Sequence, residues 1–293
     1  MNIEGLQQNI ELAPYTTFKI GGPAKFFLIA KTKEEVVEAI EAAKNAGEKW
    51  FILGGGSDIL ISDDGFDGLV IKMELRSIAF DEEQGAARID AGLLMAGAIA
   101  QSVKRGLGGL EYAVGVPASV GGAIWANLGA RGSEIADFLL ETTVIDSDGN
   151  VQVLTNEECQ FTYRDSVFKH KDFIILDGLF QLQKTDKDEL RQRFQELSQL
   201  RNDTQDIKAM CAGCIFKNPT DQTTEAAAKL IDDLGLKGFS IGGAKISQTH
   251  ANFIINTGDA TADDVVQLIS YIKQQVRDKK GIQLMEEVEY IGF

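Results

Sequence analysis

The sequence is short of the residues that staple, metallate or anchor a protein. Its 293 residues include three cysteines, Cys159, Cys211 and Cys214, and two histidines, His170 and His250. Three cysteines in a chain of this length do not make a disulfide framework, and two histidines argue against a histidine-built metal centre. No uninterrupted apolar run approaches the roughly 18 residues that a membrane-spanning helix needs. The opening "MNIEGLQQNIEL" has neither the basic nor the apolar region of a secretory leader, so none is expected. Positive charge is scarce as well: 29 Lys and Arg stand against 44 Asp and Glu, a net charge of −15. DNA, RNA and anionic membranes attract clustered positive charge, so these partners are not expected. What is present, 44% apolar and 25% charged residues, is the balance of a soluble globular protein. The length suggests two or three domains. These features read as a reduced, cytoplasmic enzyme or binding protein.

The elements alternate early in the chain. "AKFFLIA" at 24–30 reads as a strand. Thr32 is then a helix N-cap with Glu35 closing a capping box. Val36, Val37, Ile40 and Ala43 form the buried stripe of that helix, and Gly47 ends it. "KWFIL" and "LVIKM" at 69–73 are further strands, so the first 70 or so residues suggest a small α/β unit. Beyond residue 86, "ARIDAG" reads as a strand and "LLMAGAIAQSVKRG" as a helix ending near Gly106. "TTVIDSDGNVQVLT" is a hairpin turning at Asp148-Gly149-Asn150, and "FIILDGLFQLQ" is a long strand. This middle region is expected to be a mixed sheet with helices. A polar helix, "DKDELRQRFQELSQLRNDTQ", carries Leu190, Phe194, Leu197 and Leu200 at helical spacing and is expected to begin a third unit. A helix near 223–234, strands near 240–246 and 252–256, a helix from about Ala262 to Lys279, and a terminal strand in "IQLMEEVEYIGF" complete that unit. There is no internal repeat.

Glycine clusters at four places: "KIGGPA" at 19–24, "LGGGSD" at 53–58, "GVPASVGGA" at 115–123 and "NLGARG" at 127–132. Without Cβ, such backbone lets N–H groups approach a ligand closely, and several turns together can cradle phosphate oxygens without a lysine. Tight turns between strands are the plainer alternative. Neither common nucleotide fingerprint is present. "LGGGSD" is not GxGxxG and lacks an acidic residue at the right distance, and no GxxxxGK[ST] occurs.

Taken together and in order, these blocks resemble a known family. "TTFKIGG", "LGGGSDILISDDGFDGLVI", "GLGGLEYAVGVPASVGGAIWANLGARGSEIAD", "FTYRDSVF", "AGCIFKNP", "AAKLIDDLGLKGFSIGGAKIS", "HANFIIN" and "EEVEYIG" span nearly the whole chain. Their order and spacing resemble the bacterial UDP-N-acetylenolpyruvoylglucosamine reductases (UDP-N-acetylmuramate dehydrogenases, the MurB family), in the shorter subtype that lacks a substrate-covering insertion. The resemblance implies an α+β fold: an FAD-binding domain of the vanillyl-alcohol-oxidase (PCMH) type in two subdomains, plus a C-terminal α+β substrate domain. The implied boundaries are 1–73 with the terminal strand 284–293, then 74–186, then 187–283. The implied reaction is reduction of UDP-N-acetylglucosamine enolpyruvate to UDP-N-acetylmuramate, with FAD as cofactor and NADPH as co-substrate. The alternatives are a flavin oxidase or reductase of the same cofactor fold acting on another small substrate, and a non-catalytic flavin-binding module. A monomer is the simplest expectation.

The residues carried by the resemblance are as follows. Gly54, Gly55, Gly56, Ser57, Asp58, Ile59, Gly115, Pro117, Ser119, Gly121, Gly122, Asn127 and Gly129 are expected at the FAD. Arg164 is expected at the substrate carboxylate, where a guanidinium can grip in a bidentate fork. Cys214 stands where most members carry the serine that donates a proton, and a thiol keeps that proton and that reach. Glu287 is expected to assist protonation, with Glu286 in a position usually held by proline. Tyr163, Lys217, Asn218, Lys237, Gln248 and His250 are expected near the UDP-sugar. Tyr163 also reads as a pocket wall, Asn218 as part of a turn before Pro219, and His250 as a structural residue at the start of a strand. Three departures accompany Cys214: Asp58 replaces an asparagine, Ala118 a glycine and Arg131 a tyrosine. Arg131 is a candidate for a ligand phosphate. Cys211 and Cys214 also spell CxxC, too little for a zinc site, but pairing of these thiols would remove the proposed acid.

Overall fold

The computed structural model describes residue 1, residues 3–146 and residues 149–293. The chain forms two compact units. The first takes Met1–Gln7, Phe26–Gly55 and Gly68–Arg201; the second takes Gln8–Lys25, Gly56–Asp67 and Asn202–Phe293. The stretch 1–73, expected as one subdomain, therefore contributes to both.

In the first unit, Pro23–Ala30, Phe66–Met73 and Trp50–Leu53 lie in that order in one sheet. The last two run parallel, with Leu53 opposite Lys72. Helix α1, Lys33–Ala46, connects Pro23–Ala30 to Trp50–Leu53. It starts and stops where local chemistry dictates. Thr32 accepts from Glu35 N while Glu35 accepts from the Thr32 amide, and Gly47 closes the helix in the left-handed conformation at φ 67°. Val36, Ala39, Ile40 and Ala43 are its buried face.

The middle region is a five-stranded sheet in the order Val151–Thr155, Leu139–Ile145, Ile174–Gln181, Ala86–Asp90, Ile78–Asp81. Every neighbour is antiparallel, which corrects the expectation of a mixed sheet. Two of these pairings join consecutive strands, Ile78–Asp81 with Ala86–Asp90 and Leu139–Ile145 with Val151–Thr155, and the other two join strands far apart in the chain. Of the turn Asp148-Gly149-Asn150, Asp148 lies outside the described residues. Helix α2, Met95–Arg105, ends at Gly106 as its composition suggests, and helix α3, Val120–Trp125, is capped by Ser119. Helix α4, Lys187–Thr204, departs from expectation. Only Leu190 is buried, Leu200 is exposed, and residues 187–201 belong to the first unit. Leu190 joins the first core, Arg193 pairs with buried Glu111 at 3.0 Å, and Arg131 reaches Leu197 O at 3.2 Å.

The second unit builds its own core around Ile215, Phe216, Leu230, Ile254, Leu268 and Val276. Its sheet orders Met210–Cys214, Phe253–Asn256, Ala244–Ile246 and Ser240–Ile241, all antiparallel. Helices α5, Ala227–Asp233, and α6, Ala262–Lys280, complete it. The segment 56–67 is captured by this unit in two ways. Ile59–Ile61 pairs in parallel with the terminal strand Glu289–Ile291, and the Asp63 carboxylate accepts from Ala262 N at 2.9 and 3.0 Å, capping α6. Buried Asn256 likewise donates to Phe18 O at 3.0 Å and holds 8–25 in place.

Candidate active site

The expected cofactor turns of the first unit abut. Gly54 and Gly55 follow the strand Trp50–Leu53 and lie against residues 117–119. A Cβ on Gly54 would stand 2.5 Å from Ser119 Oγ, and one on Gly55 would stand 2.8 Å from Pro117 O and 3.0 Å from Ser119 N. Glycine is thus required by the partner turn itself. Lys72, on the neighbouring strand, donates its ammonium to Gly54 O. Burial lowers the Lys72 pKa below the ordinary lysine value; Glu74 opposes this and Arg76 adds to it. Among the described residues, the amides of Gly54, Gly55, Gly56 and Ser57 donate to no protein acceptor. Four consecutive donors on bare backbone match the needs of a pyrophosphate.

The second turn differs. Val120 N donates to Leu93 O and Gly121 N to Ala91 O, both at 2.8 Å, and Gly122 N donates to Ser119 Oγ at 3.2 Å. The amides of residues 120–122 are already committed, so that end of the turn contributes shape more than donors. Gly115 has φ +77° and lies against Arg201. Ala118 keeps an ordinary negative φ, so its methyl group brings no left-handed strain.

Arg164 sits in a tight turn closed by two bonds of 3.1 Å between Thr162 and Asp165. Its φ of +55° is left-handed, an uncommon state for a residue with Cβ. Two neighbours hold the turn there. The Arg164 Nη2 donates to Gly129 O at 2.8 Å, and the wholly buried Asn127 donates to Thr162 O at 3.0 Å while accepting from Ala136 N at 3.1 Å. The Asn127 side chain therefore braces the arginine turn. A Cβ on Gly129 would stand 3.0 Å from Arg164 Nη1 and 3.3 Å from Glu134 Cβ, so the guanidinium lies close over this glycine. Exposed Tyr163 lies beside the guanidinium, 5.5 Å from its centre. The Arg131 guanidinium donates to Tyr112 O at 2.6 Å and to Leu197 O, which ties it to α4.

In the second unit, Cys214 ends the strand Met210–Cys214, opposite Phe253. The Phe253 ring is 4.5 Å from that of His250, which places His250 beside this strand pair. Residues 215–217 are then clamped from two sides. Ile215 N donates to Asn252 O at 2.9 Å, and the buried Asn252 amide spans Phe216, accepting from its N at 3.0 Å and donating to its O at 2.8 Å. Opposite, Glu287 N donates to Ile215 O at 2.8 Å and Lys217 N to Met285 O at 2.9 Å. Glu287 is thereby set across from the residue that follows Cys214. The neighbouring carboxylate, Glu286, is held by Lys273 of α6 at 2.8 and 2.9 Å.

The other expected substrate residues have partners of their own. Asn218 Oδ1 accepts from Ala227 N at 3.0 Å and opens α5. Lys237 pairs with Asp232 at 2.8 Å. Gln248 lies against Gly238, whose Cβ would collide with it, and His250 N donates to Ser247 Oγ at 2.9 Å. Asp58 O accepts from Glu289 N at 3.0 Å, and Ile59 pairs with Glu289. Cys159, Cys211 and Cys214 are thiols, not half-cystines. Among the described residues, no cluster suited to a metal ion occurs.

The two ends of the chain match two family models. Residues 24–155 match an FAD binding domain, and residues 205–291 match the C-terminal domain of UDP-N-acetylenolpyruvoylglucosamine reductase. The curated reductase of that name from Bacillus licheniformis is 40% identical over 288 residues, covering 97% of this chain and 93% of its own. That from Bacillus subtilis is 39% identical over 285 residues, with the same coverage. The chain belongs to the UDP-N-acetylenolpyruvoylglucosamine reductase family. The crystal structure of the family member from Thermus caldophilus superposes with a TM-score of 0.81 at 34% identity, covering 96% of this chain and 97% of that one. The architecture is accordingly that of the reductases, an FAD-binding domain of the PCMH type followed by a C-terminal α+β domain.

Three residues bonded next to candidate site residues escaped the sequence reading: Lys72 in the first unit, and Asn252 and Lys273 in the second. Each acts across a long stretch of chain, on Gly54, Phe216 and Glu286 respectively. No local motif marks such partners. Only the doubled glutamates hinted that one of the pair needed a cation.

Proposed function

We propose that this chain is an NADPH-dependent, FAD-mediated reductase that converts UDP-N-acetylglucosamine enolpyruvate to UDP-N-acetylmuramate, a step of peptidoglycan precursor synthesis. The observation that carries the reading is the clamp on residues 215–217, directly after Cys214 and with Glu287 across from Ile215, in a chain of reductase architecture. Bound FAD supplies hydride transfer from NADPH to C3 of the enolpyruvyl group. The residues of the chain do the rest. The amides of residues 54–57 hold the FAD pyrophosphate, with Asp58 and Ile59 continuing that turn. Gly115, Pro117, Ser119, Gly121, Gly122, Asn127 and Gly129 shape the facing wall.

Arg164, already turned out of ordinary backbone geometry, grips the substrate carboxylate while negative charge grows at the adjacent C2. The Cys214 thiol delivers its proton to C2, and Glu287 steadies that transfer. Lys217 and Asn218 meet the UDP-sugar, with Tyr163, Lys237, Gln248 and His250 as further contacts. Nucleotide-sugar and NADPH substrates place the enzyme in the cytoplasm. No helix among the described residues is long and apolar enough to cross a membrane.

The test is a visible spectrum of the purified protein, then NADPH oxidation with and without the enolpyruvyl sugar. Bound flavin and sugar-dependent oxidation yielding UDP-N-acetylmuramate are expected. A colourless protein that cannot be reconstituted with FAD would overturn the proposal. In Cys214→Ala, bleaching of the flavin by NADPH should stay near normal, while turnover on the sugar falls by about 10²–10⁴, the usual worth of a general acid. Unchanged turnover would remove the thiol from the mechanism and leave the reductase assignment standing.

A further inference from the structure

The strand that carries Cys214 contains a defect with chemical consequences. Cys211 is paired with Ile255 and Cys214 with Phe253, so three steps along one strand match two along its partner. The extra residue is a β-bulge, with Ala212 and Gly213 together facing Ile254. Residues 253 and 255 of the partner share one face of the sheet, and directly paired residues of antiparallel strands share a face. Cys211 and Cys214 therefore lie on the same face. Burial agrees: Ala212 and Ile254 are both in the core of the second unit, on the opposite face, whereas both cysteines are only half-buried.

The bulge also shortens the distance. An unbroken strand would separate residues i and i+3 by about 10 Å and turn them to opposite faces. Matched against a two-residue span, regular strand geometry would set the two Cα atoms about 6.8 Å apart. That is at the upper edge of the roughly 4.4–6.8 Å that a disulfide bridges. The remaining adjustment falls on Gly213, which has φ +77° and no heavy atom within 4 Å of where a Cβ would stand.

We propose that Cys211 and Cys214 form a reversible dithiol–disulfide site that switches off the reductase under peroxide; this rests on the reading of Cys214 as the proton donor. One thiolate attacks the peroxide O–O bond, becomes a sulfenic acid and releases hydroxide, which takes up a proton. The sulfur of the second cysteine then attacks the sulfenic sulfur. The S–S bond forms, the S–O bond breaks, and water leaves with the second thiol proton. In sum, two thiols and one hydrogen peroxide give one disulfide and two waters. The disulfide has no proton to give, so protonation at C2 stops. A dithiol reductant reverses the change. Cys159 stays apart, being wholly buried, with burial and then Glu158 pushing its pKa up to about 12.

The test treats the holoenzyme with hydrogen peroxide and follows three readouts. The tryptic peptide Ala209–Lys217, which contains both cysteines, should become lighter by two hydrogen atoms. Turnover on the enolpyruvyl sugar should fall on the order of 10²-fold and return with dithiothreitol. Flavin bleaching by NADPH should be unaffected. Cys211→Ser should keep its basal turnover and lose the reversible response. The proposal is overturned if the peptide retains both thiols while activity is lost, or if Cys211→Ser still shows loss and recovery. A disulfide that forms with undiminished turnover overturns the switch in a distinguishable way, because the proton-donor reading then fails while the pairing stands.

Discussion

Replacing Asn252 by alanine isolates the clamp behind Cys214. The carboxamide is 3% exposed and Phe216, the residue it spans, 1%. Two hydrogen bonds, of 3.0 and 2.8 Å, link them. Alanine would strand the Phe216 N–H and C=O where water does not reach. Each buried, unsatisfied backbone group costs about 1–3 kcal/mol. Together they cost about 2–6 kcal/mol, a large part of the ~5–15 kcal/mol that holds a typical protein folded. The assay is urea unfolding, comparing midpoints at constant slope. Because Cys214 lies two residues before Phe216, turnover on the sugar should fall as well, even where the variant remains folded. Asn252→Asp is a sharper form of the test. It keeps an acceptor for the Phe216 N–H but sets a carboxylate oxygen against the Phe216 carbonyl, and should be at least as destabilising. An alanine variant within about 0.5 kcal/mol of the parent, the range of ordinary surface changes, would refute the reasoning.

Two further predictions rest on the first unit. Asp177, 1% exposed, is bonded by Lys33 and Arg88, each at 2.6 Å, and by Thr143 Oγ1 at 2.9 Å. Burial alone would raise its pKa, but the hydrogen bonds from Lys33, Arg88 and Thr143 outweigh it and hold the carboxyl below the usual aspartate value. The folded pKa is depressed, so the stabilisation is present above the unfolded pKa near about 4 and is lost as pH falls through the lower folded value. Asp177→Asn should flatten that acid limb in a stability–pH curve. At neutral pH it should cost about 2–3 kcal/mol, less than a wholly buried pair because Lys33 and Arg88 remain 42% and 40% exposed. A parallel acid limb in the variant would contradict this. Gly55→Ala places a methyl group 2.8 Å from Pro117 O and should lower both the flavin retained on purification and the stability, the latter by about 1–3 kcal/mol. Full flavin content would mean that the two turns separate freely.

Much of the fold was legible because its signals are local. The Thr32 and Glu35 box and Gly47 bound α1 in sequence and in space alike, since every partner lies within one or two helical turns. Gly106 ends α2 for the same reason. The strands at 24–30, 69–73, 86–90 and 174–181 were readable from apolar runs and β-branched residues. Strand direction was not, and the middle sheet proved wholly antiparallel. Helix α4 misled because its apolar spacing is regular while only Leu190 is buried, with Phe194 half-buried against the same core. Periodicity reports which residues share a face, not whether anything covers it.

The candidate site divides along the same line. The glycines, Arg164, Cys214 and Glu287 are visible in sequence because their blocks are spelled out in order. The choice of Glu287 over Glu286 was a register question that spacing alone left exposed, and Lys273, thirteen residues away on α6, takes up Glu286. Asn127 and Arg131 read as ligand contacts, and no local pattern showed that the one also braces the Arg164 turn and the other also reaches α4. From its own residues the sequence determined the helix ends, the bare turns and the family of the chain, because these depend on neighbours a few residues apart. The tertiary structure decided which amides remained available at 54–57, which groups clamp residues 215–217, and that a single extra residue turns two thiols to one face. Those outcomes depend on groups brought together from distant parts of the chain, and no stretch of sequence contains both partners.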